Sequence, residues 1–245
     1  MKYAAFAAFL LCNTASATGL DDLKAALAPL QGQGVLRGTY EAREQKTDLE
    51  KNGAKPELAQ VSALVEDDAG GLQIHWDRAL LKRAADESRP AKGKKSDALT
   101  QAIGSSSAPR IAAAVNYAPK LLQQLASSQL KQERVDTYQG KPARLLEINF
   151  TPPDEDNDKV KVKENTHLAQ VWLGADGLPL AASVTHKVKV SFMVFLSYET
   201  TSKEELLFSA QANRLVVLRR EEQGNEKGMG SEGKFSRLYT FTPKG

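Results

Sequence analysis

The chain of 245 residues has a single cysteine, three histidines and two tryptophans, and it has no apolar run of the roughly 20 residues that cross a bilayer as a helix. One cysteine, Cys12, excludes an internal disulfide framework and a thiolate metal cluster. The histidines, His75, His167 and His186, stand in neither H-x-x-x-H nor H-E-x-x-H spacing, so a zinc site would require distant segments to converge and no metal is expected. Charge of one sign is also scarce: 33 Lys and Arg oppose 30 Asp and Glu, and the signs are interspersed, which argues against nucleic acid as a partner. Ser105-Ser106-Ser107 lacks a G-x-S-x-G elbow, and no acid-base pair or nucleophile constellation stands out. No catalytic residue, no cofactor and no enzyme activity are therefore expected.

What is present begins with an export leader. Lys2 gives a short positive region, Ala4 to Leu11 an apolar run, and Ala15-Ser16-Ala17 a small-residue cleavage site, so residues 1–17 read as a signal peptide removed after Ala17, with the periplasm as destination. The alternative is a lipid anchor at Cys12, against which stands Leu11 in the place where a small residue normally precedes the modified cysteine. Cleavage after Ala17 leaves a mature chain without cysteine. Residues 18–245, in a chain 41% hydrophobic and 26% charged, then read as one globular domain.

Periodicity divides that domain. Leu20, Leu23, Leu27 and Leu30, behind the acids Asp21 and Asp22, predict a short amphipathic helix. Alternation from Val35 predicts a strand, and two β-rich runs around Asp67-Asp68-Ala69-Gly70-Gly71 predict a hairpin. A helical excursion follows over about 78–130, with helical turns at Ala79–Ala85 and Asp97–Ile103, a flexible stretch at Gly104–Pro109, and a helix opened by Pro119. It reads as a cover for one sheet face, or else as a mobile lid or partner-binding arm at 88–110. Beyond Leu130 the pattern is β-rich to the end. Hairpins are predicted around Gln139-Gly140-Lys141-Pro142 and Gly174-Ala175-Asp176-Gly177, and Val184, His186, Val188, Val190 and Phe192 share one face of the clearest strand. The predicted fold is mainly β (α+β): a curved antiparallel sheet of about ten strands forming an open half-barrel, with N-terminal and mid-chain helices packed on its concave face.

Three motifs fail on context. Gly228-Met229-Gly230-Ser231-Glu232-Gly233 matches G-x-G-x-x-G, but strand alternation follows it where a dinucleotide site needs a helix, so it reads as a hairpin loop. Asp154 to Asp158 resembles half an EF-hand loop, with Lys159 at the glycine position, and reads as a solvated acidic loop. Lys159, Lys161 and Lys163, with Lys187 and Lys189, read as a solubilising outer face, or as a basic surface that meets anionic lipid headgroups in peripheral membrane contact or an acidic partner.

The leader, the helix at Leu20 to Leu30 followed by Gly38-Thr39-Tyr40, the strand Leu72-Gln73-Ile74-His75-Trp76-Asp77, the helical excursion, and Val171-Trp172-Leu173-Gly174-Ala175-Asp176-Gly177-Leu178-Pro179-Leu180 together resemble the periplasmic outer-membrane lipoprotein carriers, the LolA/LolB-like superfamily. The resemblance implies an open antiparallel β-barrel whose cavity is plugged by helices, and transfers no functional residue. It leads to the expectation of a non-enzymatic carrier or binder of an apolar ligand, a lipid or lipoprotein acyl chains, in an apolar cavity lined by Trp76, Trp172, His186, Val188, Val190 and Phe192. The alternative is a cell-envelope protein-protein interaction or regulatory module without a small-molecule ligand.

Overall fold

Apolar and polar residues alternate through Leu36-Arg37-Gly38-Thr39-Tyr40-Glu41-Ala42, and in the computed structural model this segment is a strand with Leu36, Tyr40 and Ala42 buried and the charged positions outside. The structure describes residues 18–49, 56–89, 98–150, 160–192, 196–228 and 231–244; the leader with Cys12 and the acidic run Asp154–Asp158 lie outside them. Ten strands are described: β1 (Leu36–Asp48), β2 (Glu57–Asp68), β3 (Gly71–Trp76), β4 (Gln129–Tyr138), β5 (Lys141–Phe150), β6 (Val160–Leu173), β7 (Pro179–Phe192), β8 (Leu196–Gln211), β9 (Arg214–Gly228) and β10 (Ser231–Lys244). They form one antiparallel sheet in the order β3-β2-β1-β10-β9-β8-β7-β6-β5-β4, which does not close on itself. Mainly-β architecture and strand number agree with the sequence reading. Gly228, at the end of β9, pairs with Ser231, at the start of β10, and Met229 and Gly230 of the predicted hairpin loop lie outside the described residues.

Five helices are described: α1 (Gly19–Leu27), α2 (Arg78–Glu87), α3 (Ala98–Ser105), α4 (Ala108–Val115) and α5 (Ala118–Ala126). Thr18 caps α1 reciprocally with Asp21: the Asp21 amide donates to Thr18 Oγ1 (3.3 Å), and the Thr18 amide donates to Asp21 Oδ2 (3.2 Å). Leu20, Leu23 and Leu27 are thereby turned into a core shared with α5 and strands β5 to β9. Helices α2 to α5 carry the chain from β3 to β4, the two edges of the open sheet, and so strap across its face. A second core lies beneath α2, α3 and α4 on β1 to β3 and β10.

Two sequence expectations are corrected here. Gly104–Pro109 is not a flexible stretch, because Gly104 and Ser105 end α3 while Ala108 and Pro109 open α4, with proline in the first turn, where its missing N–H costs nothing. Nor is the described part of 88–110 a free arm: Leu99 and Ala102 are buried, and Ser105 Oγ donates to Glu44, which also accepts from Tyr239 OH (2.8 Å). Arg110 Nη1 completes this network by donating to Tyr239 OH (2.7 Å).

Strand β9 is the place where the sheet divides. Its ladder with β10 ends at Thr240↔Arg219, after which β10 continues along β1 alone, to Arg37↔Lys244. Into the gap comes the α4–α5 junction, where the Tyr117 amide donates to the Leu215 carbonyl (2.7 Å). Leu215 and Val217 belong to the first core and Val216 to the second. At the head of this strand Arg214 is almost fully enclosed. Its Nη1 donates to Asp67 Oδ2 (2.6 Å) and its Nη2 to the Gly34 carbonyl (2.7 Å), tying β9 to the end of β2 and to the segment before β1. Replacing Arg214 by Leu leaves the carboxylate of Asp67, itself largely buried, without its cation, and urea unfolding is expected to show a loss of about 3 kcal/mol, in the range for breaking a buried pair from one side.

Candidate functional site

Between α5 and the sheet lies a cavity of about 420 Å³, within the range of ligand-binding pockets. One wall is apolar. Leu121 from α5, Phe150 from β5, Ala169 and Val171 from β6, Ala182, Val184 and Val188 from β7, and Leu206 and Phe208 from β8 line it. Leu121, Ala169, Val171, Ala182, Leu206 and Phe208 are buried members of the first core, so this wall continues the packing that holds the helices down.

The rest of the lining is charged, which the sequence reading did not anticipate. A bulge between Leu207↔Arg219 and Phe208↔Val217 leaves Leu218 unpaired and reverses the facing of β9. Before the bulge the inward residues are Leu215 and Val217; after it they are Arg220, Glu222 and Glu226, which line the cavity. Glu204 on β8 sits at the centre, buried, with Arg220 Nη2 donating to its Oε2 (3.2 Å) and Arg220 Nε lying 2.9 Å from its Oε1 as an ion-pair contact. Burial opposes ionisation of Glu204, but the His186 contact and the charges of Arg220 and Lys120 outweigh it and hold the carboxyl below its ordinary 4.5. Glu222 pairs with Arg237 (3.3 Å), and Glu226 with Lys46 and with Tyr198 OH, which donates over 3.4 Å.

His186 and His167 face each other across the β6–β7 ladder as direct cross-strand partners. Their Nδ1 atoms are 3.2 Å apart with the rings at 89°. His167 Nε2 lies 2.9 Å from Asn165 Oδ1, and His186 Nε2 lies 3.5 Å from Glu204 Oε2. Burial, then the neighbouring His186, lowers the pKa of His167 below its ordinary 6.5, with Glu204 pulling the other way. Lys120 on α5 stands at the rim with its ammonium 5.5 Å from the centre of the Tyr117 ring, and burial and Arg220 lower its pKa.

Of the sequence-predicted cavity residues, His186 and Val188 line the cavity. Val190 is half-buried two places further along the same strand face, outside the lining. Phe192 ends β7, and its side chain lies outside the described part of the structure. Both tryptophans are elsewhere. Trp76 packs against the second core from β3. Trp172 is on the opposite sheet face from Val171 and Leu173, between its cross-strand partners Leu145 and Ala181, 5.6 Å from the Tyr138 ring and with Nε1 donating to Asp136 Oδ2 (3.0 Å). An aromatic residue amid an alternating strand marks a covered face without telling which one. His167, Glu204, Arg220 and Lys120 went unread. A register shift at Trp172/Leu173 sets His167 opposite His186, where a plain count from the turn at Gly174–Gly177 would pair it with Val184, and Lys203-Glu204-Glu205 looks like any solvated charge run. Among the described residues no group of three His, Cys, Asp or Glu side chains is placed to hold a metal ion.

The outer lysines are compensated as well, Lys187 by Glu164 (3.0 Å) and Lys189 by Glu199 (3.1 Å). The cavity wall sets an acid response in two stages. With its pKa lowered in the fold, His167 gives stability that is complete above 6.5, and that is lost as pH falls from there through the folded value, because the unfolded chain takes up the proton first. Glu204 adds a second loss, starting near 4.5 and deepening as pH falls. Urea unfolding midpoints followed from pH 8 to pH 3 are expected to show the upper decline flattened in His167→Asn and the lower one in Glu204→Gln.

No family model matches the chain, and no curated protein matches it. A solved structure to which it is similar is described as the crystal structure of MucB in complex with MucA(peri): the alignment covers 91% of this chain and 94% of that one, at 10% identity and a TM-score of 0.23, a superposition too loose to bear on fold or function.

Proposed function

We propose that the protein is a non-enzymatic binder or carrier of an apolar chain-like ligand, such as a lipid or the acyl chains of a lipoprotein, working in the periplasm after removal of its leader. The observation that carries this reading is the 420 Å³ cavity between α5 and the sheet, whose apolar wall joins the first core. Burial of apolar ligand surface there is worth about 25 cal/mol per Å², the ordinary driving force for such a site. The His167, His186, Glu204 and Arg220 side chains form no nucleophile-base pair, and in this reading they select and orient the occupant. The charged wall also favours a second reading, a partner-binding module whose occupant is a polypeptide segment with both apolar and charged side chains.

Organic extraction of the purified protein followed by mass spectrometry is expected to recover a stoichiometric apolar compound. Val184→Trp, which fills the cavity from the β7 side, is expected to abolish that recovery while leaving the circular dichroism spectrum unchanged. Recovery of a stoichiometric polypeptide and no small molecule would replace the first reading by the second.

A further inference from the structure

The two histidines of the cavity are oriented by what lies behind them. His167 Nε2 has Asn165 Oδ1 at 2.9 Å, and His186 Nε2 has Glu204 Oε2 at 3.5 Å. Both oxygens are acceptors, so each neutral ring keeps its proton on Nε2, and the two Nδ1 atoms, 3.2 Å apart, are left with bare lone pairs side by side. Lone pairs this close repel one another unless a cation stands with them. A proton is one such cation, and it turns one ring into an imidazolium beside Glu204. A metal ion is the other.

The arrangement of the rings leaves room for an ion. Their centres are 4.5 Å apart, nearer than this nitrogen separation would allow if the rings were aimed at each other along one line, so the lone pairs lie off that line. Two imidazole nitrogens about 2.0 Å from a tetrahedral zinc ion stand roughly 3.3 Å from one another, close to the 3.2 Å found here. An Nε2–H held by an oxygen is also the support that metal-bound histidines ordinarily have, since it fixes tautomer and ring angle. The convergence that sequence spacing does not offer is made by the β6–β7 ladder, in which the two residues are direct partners. Burial, then His186, disfavour the protonated form of His167, the form that cannot ligate. Of the charges around the pair, Glu204 favours a cation, while Arg220, which shares that carboxylate, and Lys120 at the rim hold the affinity down.

We propose that His167 and His186 form a zinc site, independent of what fills the apolar part of the cavity: both Nδ1 atoms ligate one Zn²⁺, Asn165 and Glu204 orient the rings from behind, and cavity water completes the tetrahedron. Two protein ligands are fewer than the three of a catalytic zinc centre, so the ion is held in an open site and is lost to chelators. Imidazole nitrogen excludes Mg²⁺ and Ca²⁺, which take oxygen ligands.

Zinc chloride titrated calorimetrically at pH 7.5 into the protein purified without a histidine tag is expected to bind one ion per chain, with an affinity that Mg²⁺ does not change. His167→Asn and His186→Asn are each expected to abolish this binding, and Asn165→Ala, which removes only an orienting acceptor, to weaken it about tenfold. Nitrogen NMR of the imidazoles in the unaltered protein gives a second readout that does not depend on a variant folding: zinc is expected to move both Nδ1 resonances of the pair and to leave both Nε2 atoms protonated. No saturable binding up to about 1 mM zinc, or binding that both histidine substitutions leave unchanged, would overturn the proposal. So would Nδ1 resonances that zinc does not move, which would leave a proton as the pair's cation.

Discussion

The parting of β9 from β10 beyond Thr240↔Arg219 is the constraint on which the other features of this molecule depend. A sheet edge opened inside a fold exposes carbonyls that must find donors, and the Tyr117 amide meets that need at Leu215. The same hydrogen bond fixes where α4 ends and α5 begins. Because α5 is held there, Leu121 and Leu125 lie on the first core, and Lys120 projects to the rim of the cavity. The cores on either side of β9 are consequences of one split ladder. Arg214 holds that strand at its head through Asp67 and the Gly34 carbonyl.

The cavity combines features that are seldom compatible. Charged groups lose hydration when enclosed, and they tolerate enclosure only when opposite charges and hydrogen bonds replace water. Here the strand faces of β8, β9 and β10 supply the replacement internally, with Glu204 against Arg220 and Glu222 against Arg237, and so the wall is ionic without being strongly of one sign. The apolar side chains of the same lining, Val184, Val188 and Leu206 among them, lower the local dielectric and strengthen those pairs.

Much of this architecture was legible in the residues. Alternation through Val184 to Val190, the Asp-Gly turns and the leucines of α1 and α5 led to strands, hairpins and helices at their observed places, because local period and turn chemistry agreed with the global fold. Helix α4 escaped because Ala-Pro-Arg-Ile-Ala-Ala-Ala-Val follows Gly-Ser-Ser-Ser and carries only two large apolar residues, whose burial depends on strands distant in sequence. The ionic wall escaped for a different reason. A single unpaired residue, Leu218, decides which side of β9 faces inward, and a bulge of one residue leaves no periodic trace among Arg219-Arg220-Glu221-Glu222. Trp172 shows the limit from the other direction, since alternation groups residues on a face without saying which face is covered.

The partner of the first strand is the last. β1 pairs with β10 through twelve positions, from Arg37↔Lys244 to Asp48↔Gly233, so the contact that joins β1–β3 to the remaining strands closes a loop of nearly the whole described chain. Folding rates fall as contacts become less local, and a sheet sealed by its most distant pair belongs to the slow end of that range. Until the C-terminal strand emerges from the ribosome, β1 lacks one of its two neighbours and the second core lacks Tyr239 and Phe241. A nascent chain built in this way stays unpaired along β1 until β10 has been made, and depends during that interval on whatever shields its open strands.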